Sequence, residues 1–321
     1  MLSEFDLIAR FFQREGPPAS QVALGIGDDC ALLAPSSGMQ LAISTDMLLE
    51  GRHFFPEVDP HTLGHKALAV NLSDLAAMGA RPIGFTLALA LPEVDEEWLA
   101  AFARGMFALA DQQQCPLIGG DTTRGPLNIC ITVFGEVPPG QALRRDAAQA
   151  GDDIWISGSV GDARLALASK LDEIELDGAS LAQALPRLLL PTPRVELGLA
   201  LRGIAHAAID LSDGLCGDLG HILKRSKVGA TLNADALPVG PALARQAEGH
   251  RRAYALAGGD DYELCFTAPV AAREQVLAAG RASNTPVTRV GCIEARGGLR
   301  LQDGQGKTLS LAIRSFDHFT P

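Results

Sequence analysis

Residues 117–125 read Leu117-Ile118-Gly119-Gly120-Asp121-Thr122-Thr123-Arg124-Gly125. The paired glycines have no Cβ, so the backbone can turn sharply there or approach a ligand closely. A carboxylate at such a turn suits a hard cation, and an arginine suits a phosphate group. Taken alone, the stretch is better explained as an ordinary turn in which Asp121 hydrogen-bonds to its own backbone.

Stretches of the same form recur along the chain. They are Gly25-Ile26-Gly27-Asp28-Asp29, Ala42-Ile43-Ser44-Thr45-Asp46, Ile209-Asp210-Leu211-Ser212-Asp213-Gly214 and Ala257-Gly258-Gly259-Asp260-Asp261-Tyr262-Glu263. Each places an acid beside glycine or a hydroxyl, next to an apolar segment, and we interpret each as a turn. If the fold gathers even three of them, the carboxylates repel one another unless cations lie between them. The repetition therefore indicates magnesium-dependent phosphate chemistry.

The composition limits the classes of function. The chain has 321 residues, which suggests one large or two medium domains, and its hydrophobic content of 47% supports a substantial core. Aromatic residues make up 5%, so this core is aliphatic. The net charge is −11 and no Lys/Arg run is longer than two, which argues against a nucleic-acid binder.

The sequence gives no sign of export or of a membrane span. Residues 1–6 lack a basic segment followed by an apolar one, and no run of about 18 apolar residues occurs. The six cysteines are scattered without a C-x-x-C pair, and most lie in apolar segments. We interpret them as small buried hydrophobic residues of a cytoplasmic protein without a zinc site.

Hydrophobic periodicity predicts helices and strands mixed along the chain, and therefore an α/β or α+β fold with two domains. The predicted helices cover residues 5–14, 62–79, 95–114, 163–169, 181–189, 194–204, 215–224 and 271–279. The predicted strands cover residues 31–33, 41–44, 83–91, 129–137, 154–157, 207–211, 262–266 and 287–293. A polar stretch places the boundary near residue 148, giving domains 1–147 and 148–321.

The helix predicted at residues 62–79 carries two polar side chains beside its apolar stripe. Asn71 and Asp74 stand three residues apart and share a face. Exposure to solvent is the default for such a carboxylate. The small residues around Asp74 allow close packing against a neighbouring element, which would bring this carboxylate near the other acids.

Two common nucleotide-binding motifs fail in this chain. Gly306-Lys307-Thr308 copies the end of a P-loop, but Leu301 stands where the first glycine is needed, and the local glycines predict a hairpin. Gly25-Ile26-Gly27 continues with Asp28-Asp29-Cys30, which breaks the dinucleotide fingerprint.

The acidic motifs form a set that extends over nearly the whole chain. Its members lie at residues 25–31, 44–46, 70–80, 119–123, 209–215, 259–264 and 316–319. In order and spacing the set resembles the thiamine-monophosphate kinase family, in the superfamily of aminoimidazole ribonucleotide synthetase and selenophosphate synthetase. Each motif is weak alone, but the set is specific.

The resemblance implies a two-domain fold like that of aminoimidazole ribonucleotide synthetase, with ATP and magnesium in the N-terminal domain and a homodimer formed through its strands. It implies ATP- and Mg-dependent phosphorylation of thiamine monophosphate to thiamine diphosphate. By motif position it assigns several Mg²⁺ ions to Asp29, Ser44, Thr45, Asp46, Asp74, Asp121, Asp210 and Asp213. It assigns ATP contacts to Gly120, Arg145 and Ser212, acceptor contacts to His53, Asp260 and Phe316, and catalysis to Asp46, Asp121 and Asp210.

The chain departs from the family pattern at two positions. Asp260 stands where we associate a glutamate with the family, and the final aromatic is Phe316, without the hydroxyl of a tyrosine. Both changes concern how the acceptor binds and not which reaction is catalysed.

Two alternatives remain beside the kinase. One is another ATP-dependent enzyme of the superfamily, such as aminoimidazole ribonucleotide synthetase, although the segment Asp260-Asp261-Tyr262-Glu263 favours the kinase. The other is a non-catalytic nucleotide- or metal-binding protein. Every acidic motif is intact, which argues against this alternative.

The implied acceptor sets the expected mechanism. A phosphate monoester has a second pKa of about 6, so it is mostly a dianion at neutral pH and needs no catalytic base. We therefore expect direct in-line transfer, with magnesium and Arg145 offsetting the repulsion between anions. The alternative is a phosphoryl-enzyme with His53 as the relay.

The strands predicted at residues 83–91 and 129–137 are apolar on both faces. A strand with one face in solvent is normally apolar on the other face only. We therefore expect a second copy of the chain to bury these strands. The alternative is an internal helix that covers them.

Overall fold

The computed structural model describes residues 3–14 and 20–310. This part of the chain forms two compact units: the first ends at Gly140, and the second begins at Gln141 and also includes Ala76–Gly79. Both units combine helices with β-sheet, which confirms the mixed α/β class predicted from the sequence. The domain boundary near residue 148 stays a prediction.

The first unit contains a four-stranded sheet and a small two-stranded one. Its elements are α1 (Glu4–Phe11), β1 (Val22–Leu24), β2 (Leu32–Leu33), β3 (Gln40–Leu49), α2 (Pro60–Ala77), β4 (Arg81–Leu91), α3 (Glu96–Gln112), β5 (Leu117–Arg124) and β6 (Asn128–Val137). The larger sheet has the order β3-β6-β4-β5, in which β4 and β5 are parallel and the other pairs are antiparallel. β1 and β2 pair with each other.

Two of the stretches predicted as acidic turns are strands. Residues 42–46 lie inside β3, so the strand predicted at residues 41–44 is confirmed and continues through Asp46, and the opening stretch forms β5. The prediction is wrong because both segments pair along their length with a neighbour, so that Asp46 is opposite Ile131 and Asp121 is opposite Ala88. Gly120 has a φ of +151°, and a Cβ there would overlap the carbonyl oxygen of Leu87. This glycine therefore permits the close approach of two strands.

Helices α2 and α3 cross at glycines. A Cβ on Gly64 would overlap the backbone carbonyl of Phe102, and a Cβ on Gly105 would overlap that of His61. The two helix backbones are therefore in direct contact. The two helices also contribute buried apolar side chains to the core, among them Leu68, Leu72, Leu75, Phe102, Met106 and Leu109.

The second unit is built around a six-stranded sheet. Its elements are β7 (Asp153–Ser157), α4 (Asp162–Lys170), α5 (Gly178–Leu189), α6 (Val195–Ala200), β8 (Ala207–Asp210), α7 (Leu215–Ser226), β9 (Gly229–Asn233), α8 (Glu248–Ala257), β10 (Leu264–Ala268), α9 (Arg273–Ala282), β11 (Val287–Glu294) and β12 (Gly298–Gln302). The strand order is β12-β9-β11-β7-β10-β8. β12 is parallel to β9, and the other pairs are antiparallel.

The sequence did not predict the short strands β1, β9 and β12 or helix α8. The strand predicted at residues 262–266 begins at Leu264 instead, because Tyr262 has a φ of +48° and cannot be extended. The turn around Gly306 was predicted correctly: Gln302 and Thr308 form an antiparallel bridge across it, and Gly306 N–H donates to the Asp303 carbonyl at 3.0 Å.

Among the described residues, no helix is long and apolar enough to cross a membrane. The six cysteines are free thiols, as predicted, but they are not uniformly buried. Cys115 and Cys265 are buried, whereas Cys30 and Cys292 are exposed. The interpretation of most cysteines as core residues therefore holds only in part.

The crossing of α2 and α3 makes a stability prediction. We expect Gly105→Ala to lower the free energy of unfolding by about 1–3 kcal/mol or more, because the new methyl group overlaps a backbone carbonyl. Thermal and urea unfolding of the purified variant measure the change. The matched control is Gly220→Ala in α7, where a Cβ would meet nothing within 4 Å. This control should be neutral or stabilising by up to about 1 kcal/mol. Equal stability of the two variants would contradict the crossing.

Candidate functional site

Strand β3 and helix α2 bring together polar residues from two of the sequence motifs. Ser44 donates a hydrogen bond to the Asp74 carboxylate, and the backbone N–H of Asp46 donates to Asn71 Oδ1 at 3.0 Å. The Asn71 amide donates to the Ala67 carbonyl at 3.0 Å, which fixes its orientation. Residues two apart on a strand share a face, as do residues three apart on a helix. The close packing predicted around Asp74 is therefore present.

Thr45 lies on the opposite face of β3. Its hydroxyl forms a hydrogen bond of 2.8 Å with the hydroxyl of Thr132 on β6. Strand alternation thus separates the Thr45 side chain from Ser44 and Asp46.

Asp29 and Asp121 are exposed. The backbone N–H of Asp29 donates to Asp28 Oδ1 at 2.8 Å, an ordinary turn contact. Within residues 3–14 and 20–310, no three His, Cys, Asp or Glu side chains are grouped so that they could hold a metal ion. That the acids of the separate motifs share one site stays a prediction.

His53 follows β3 in a turn and is half-buried. Its ring Nδ1 accepts a hydrogen bond from the backbone N–H of Leu49 at 2.9 Å. The backbone N–H of His53 donates to the Leu49 carbonyl at 2.9 Å. Because Nδ1 accepts, the ring proton of the neutral imidazole is on Nε2.

In the second unit, strand β8 ends at Asp210 and leads into residues 211–214 before α7. The Asp210 side chain is buried, whereas Ser212 and Asp213 are half-buried. Asp218, in the first turns of α7, accepts hydrogen bonds from the N–H groups of Asp213 and Gly214, both at 3.1 Å. Burial and the neighbouring carboxylates of Asp213 and Asp210 raise the pKa of Asp218 to about 8.

The segment 258–263 packs directly on residues 211–214. The N–H groups of Asp260 and Tyr262 donate to the carbonyls of Ser212 and Leu211 at 2.9 and 2.8 Å. A Cβ on Gly259 would overlap the Ser212 carbonyl, which explains the glycine there. Asp260 has a φ of +64°, so its carboxylate is presented by a left-handed residue.

The two other acids of this segment are buried in the protein. The Asp261 carboxylate accepts from the Gly161 N–H at 2.8 Å, and burial raises the pKa of Asp261 well above its usual range. Glu263 is fully buried and binds Arg187 and Arg194 at 2.7 and 2.5 Å. Two of the three acidic residues in this motif therefore support the loop.

The structure adds residues that the sequence left without a role. Asp218 was missed, although an acid within the first turns of a helix is a recognisable signal. Arg187 and Arg194 have no such signal, because they meet Glu263 only through the fold.

Arg145 is exposed, and its carbonyl accepts from the Ser226 hydroxyl at 2.9 Å. The structure therefore places its backbone beside the end of α7. Phe316 and the other residues of its motif lie outside the described part of the chain.

Comparison with known proteins identifies relatives over the whole chain. The model of the AIR synthase related protein N-terminal domain matches residues 27–137, and that of the C-terminal domain matches residues 149–304. The thiamine-monophosphate kinase of Salmonella typhimurium is 48% identical over 98% of both chains. Among solved structures, the thiamine-monophosphate kinase of Stenotrophomonas maltophilia is 50% identical with a TM-score of 0.84, covering 90% of this chain and 93% of that one. The complex of AaThiL with AMPPCP and TMP is 30% identical with a TM-score of 0.78, covering 89% of each.

Proposed function

Because the chain belongs to the AIR synthase related family and, within it, to the thiamine-monophosphate kinases, we propose that it transfers a phosphoryl group from ATP directly to thiamine monophosphate. The observation that carries the proposal is the identity of 48% over 98% of both chains. A relative of the same fold binds AMPPCP together with TMP, which accounts for both substrates. The fold and the kinase activity predicted from the sequence are confirmed by these matches.

Magnesium is proposed on the chemistry of the donor groups. Hydroxyl and carboxylate oxygens are the ligands that this cation prefers, and the contact between Ser44 and Asp74 already joins one of each. Asp46 is two residues from Ser44 on β3, so both side chains lie on the same face of the strand. We propose that Ser44, Asp46 and Asp74 hold magnesium in the first unit, with Asp29, Thr45 and Asp121 as further candidates.

In the second unit Asp210 and Asp213 are the proposed magnesium ligands and Ser212 the proposed ATP contact. Burial raises the pKa of Asp218 in this segment, and the neighbouring carboxylates of Asp213 and Asp210 add to the rise. A bound cation would relieve the repulsion, neutralise phosphate charge and align the reacting oxygens. Gly120 and Arg145 are proposed to contact ATP as well.

For the acceptor we propose contacts with His53, Asp260 and Phe316. The thiazolium ring of thiamine monophosphate is a fixed cation, which a carboxylate and an aromatic face both attract. The segment that carries Asp260 is hydrogen-bonded to the one that carries Ser212. Binding of the acceptor and of ATP would thus depend on two backbone segments that are hydrogen-bonded to each other.

Direct transfer is supported by the state of His53. A neutral imidazole attacks through its unprotonated nitrogen. That nitrogen is Nδ1, and it is already occupied by the Leu49 N–H. The acceptor dianion needs no base, so the protein has to bring two anions together and hold them in line.

A homodimer is proposed from the exposed residues of β3. Ile43 and Met47 are 60% and 50% exposed. Together with the exposed Leu41 and Leu49 they form an apolar stripe along one face of β3. Ile43 is opposite Phe134 and Met47 is opposite Cys130 on β6, so the apolar surface extends across two strands. We propose that a second copy of the chain covers this surface. The cytoplasmic location stays a prediction.

The first test addresses reaction and metal together. Purified protein should consume ATP only when thiamine monophosphate and magnesium are present. We expect Asp46→Asn and Asp121→Asn each to lower turnover at least 100-fold, about 2.7 kcal/mol of barrier, with the fold retained. The control is Asp111→Asn, which removes an exposed ion pair with Arg14 and should change turnover little. Near-normal turnover of Asp46→Asn at saturating magnesium would exclude the proposed site.

The second test separates direct transfer from a phosphoryl-enzyme. The enzyme is incubated with magnesium and γ-labelled ATP without acceptor, quenched, and analysed for label on the protein. We expect no label, and His53→Asn should keep turnover while the acceptor KM rises. Stoichiometric label that disappears in His53→Asn would show a covalent intermediate.

The third test concerns assembly. Light scattering should give about twice the 33.7 kDa of one chain at micromolar concentration. Ile43→Asp should shift the protein to monomer, because it places a charge on the apolar stripe. Val270→Asp, at an apolar residue that is 51% exposed in the second unit, is the matched control and should leave the mass unchanged. A monomeric wild type would contradict the proposal.

A further inference from the structure

Asp218 is a buried carboxylate without a role in the proposed reaction. Only 3% of its surface is exposed, and one of its oxygens, Oδ2, accepts from two consecutive backbone N–H groups, those of Asp213 and Gly214. Gly214 is the residue before α7, and its φ of +109° requires glycine. The carboxylate thus reaches back from the helix to the segment that enters it.

The place of these contacts is what gives Asp218 its importance. The segment entering α7 contains Ser212 and Asp213 and follows Asp210, the residues proposed for ATP and magnesium. The N-cap residue of this helix is Gly214, which has no side chain that could cap it. Asp218 therefore determines the course of the backbone at the residue that carries the Asp213 carboxylate.

The hydrogen bonds also have a consequence for ligands. Free N–H groups at a helix start form a binding site for phosphate. Here two N–H groups that lead into α7 are already bound by a carboxylate of the protein itself. Phosphate oxygens would thus meet the side chains of this segment, and any cation they hold, instead of these two amides.

We propose that Asp218 is a positioning residue for ATP binding: it holds residues 213 and 214 so that the side chains of Asp210, Ser212 and Asp213 converge on the nucleotide and its cation. This inference rests on the proposed function, since it assumes that those residues bind Mg·ATP. Asp218 acts through hydrogen bonds that its oxygen accepts and does not itself contact the nucleotide.

The test compares an isosteric and a truncating substitution. Asp218→Asn keeps an oxygen that can accept both N–H groups, whereas Asp218→Ala removes it. The matched control is Asp162→Ala, since Asp162 is also 2% exposed and also accepts from two backbone N–H groups, those of Ala242 and Leu243. Those residues lie outside every segment assigned to ATP.

Each variant is examined by thermal unfolding and by calorimetric titration with AMPPCP in the presence of magnesium, at a temperature where all are folded. We expect both alanine variants to unfold at lower temperature. AMPPCP should bind at least tenfold more weakly to Asp218→Ala, and within about threefold of wild type to Asp218→Asn and Asp162→Ala. The kinase assay should show the same order in the KM for ATP, with the acceptor KM little changed in Asp218→Ala.

Two results would overturn the inference. Wild-type affinity in folded Asp218→Ala would reduce Asp218 to a stabilising residue like Asp162. A loss of affinity in Asp218→Asn as large as in Asp218→Ala would show that its charge, as a ligand, is what matters. Failure of the wild-type protein to bind AMPPCP would instead count against the proposed function, so the two failures are distinguishable.

Discussion

In the second unit, the fully buried carboxylate of Glu263 holds several separate segments of the chain together. It binds Arg187 and Arg194 from two separate segments and accepts from the Ser157 hydroxyl at 2.6 Å, and that hydroxyl also accepts from the Leu264 N–H at 2.8 Å. A buried charge is tolerated only when it is paired and hydrogen-bonded, and losing one partner costs about 3–5 kcal/mol. The ends of β7 and β10 are thereby fixed together, and with them the segment that presents Asp260.

Close backbone contacts explain why glycines recur in the motifs. The sequence suggested turns, since glycine permits them, but Gly120 and Gly259 instead allow one backbone to approach the carbonyl oxygen of another. Local sequence cannot distinguish these uses, because the clashing atom belongs to a distant segment. Helix α3 was predictable for the opposite reason, because its apolar periodicity and the capping residue Asp95 are local signals.

The candidate site was predictable in its residue types but not in its geometry. The spacing of Asn71 and Asp74 predicted that they share one helix face, and both meet β3. The sequence treated the acids of residues 260–263 as one functional group, whereas burial assigns Asp261 and Glu263 to the support of the loop. It also could not show that Asp218 accepts a hydrogen bond from the Asp213 N–H. That hydrogen bond spans Gly214, whose positive φ sets the path of the backbone there.

Charge connects these observations to the chemistry. Transfer between two phosphates requires anions to meet, yet the residues proposed for the site are mainly carboxylates. One more carboxylate, that of Asp218, binds the N–H groups of Asp213 and Gly214 just before α7. A protein that bound phosphate chiefly through amides and arginines would not surround it with acids. Carboxylates become favourable neighbours of phosphate only when cations lie between them, because each cation attracts both. Electrostatics therefore favours a reaction in which the acids bind metal and the metal binds phosphate.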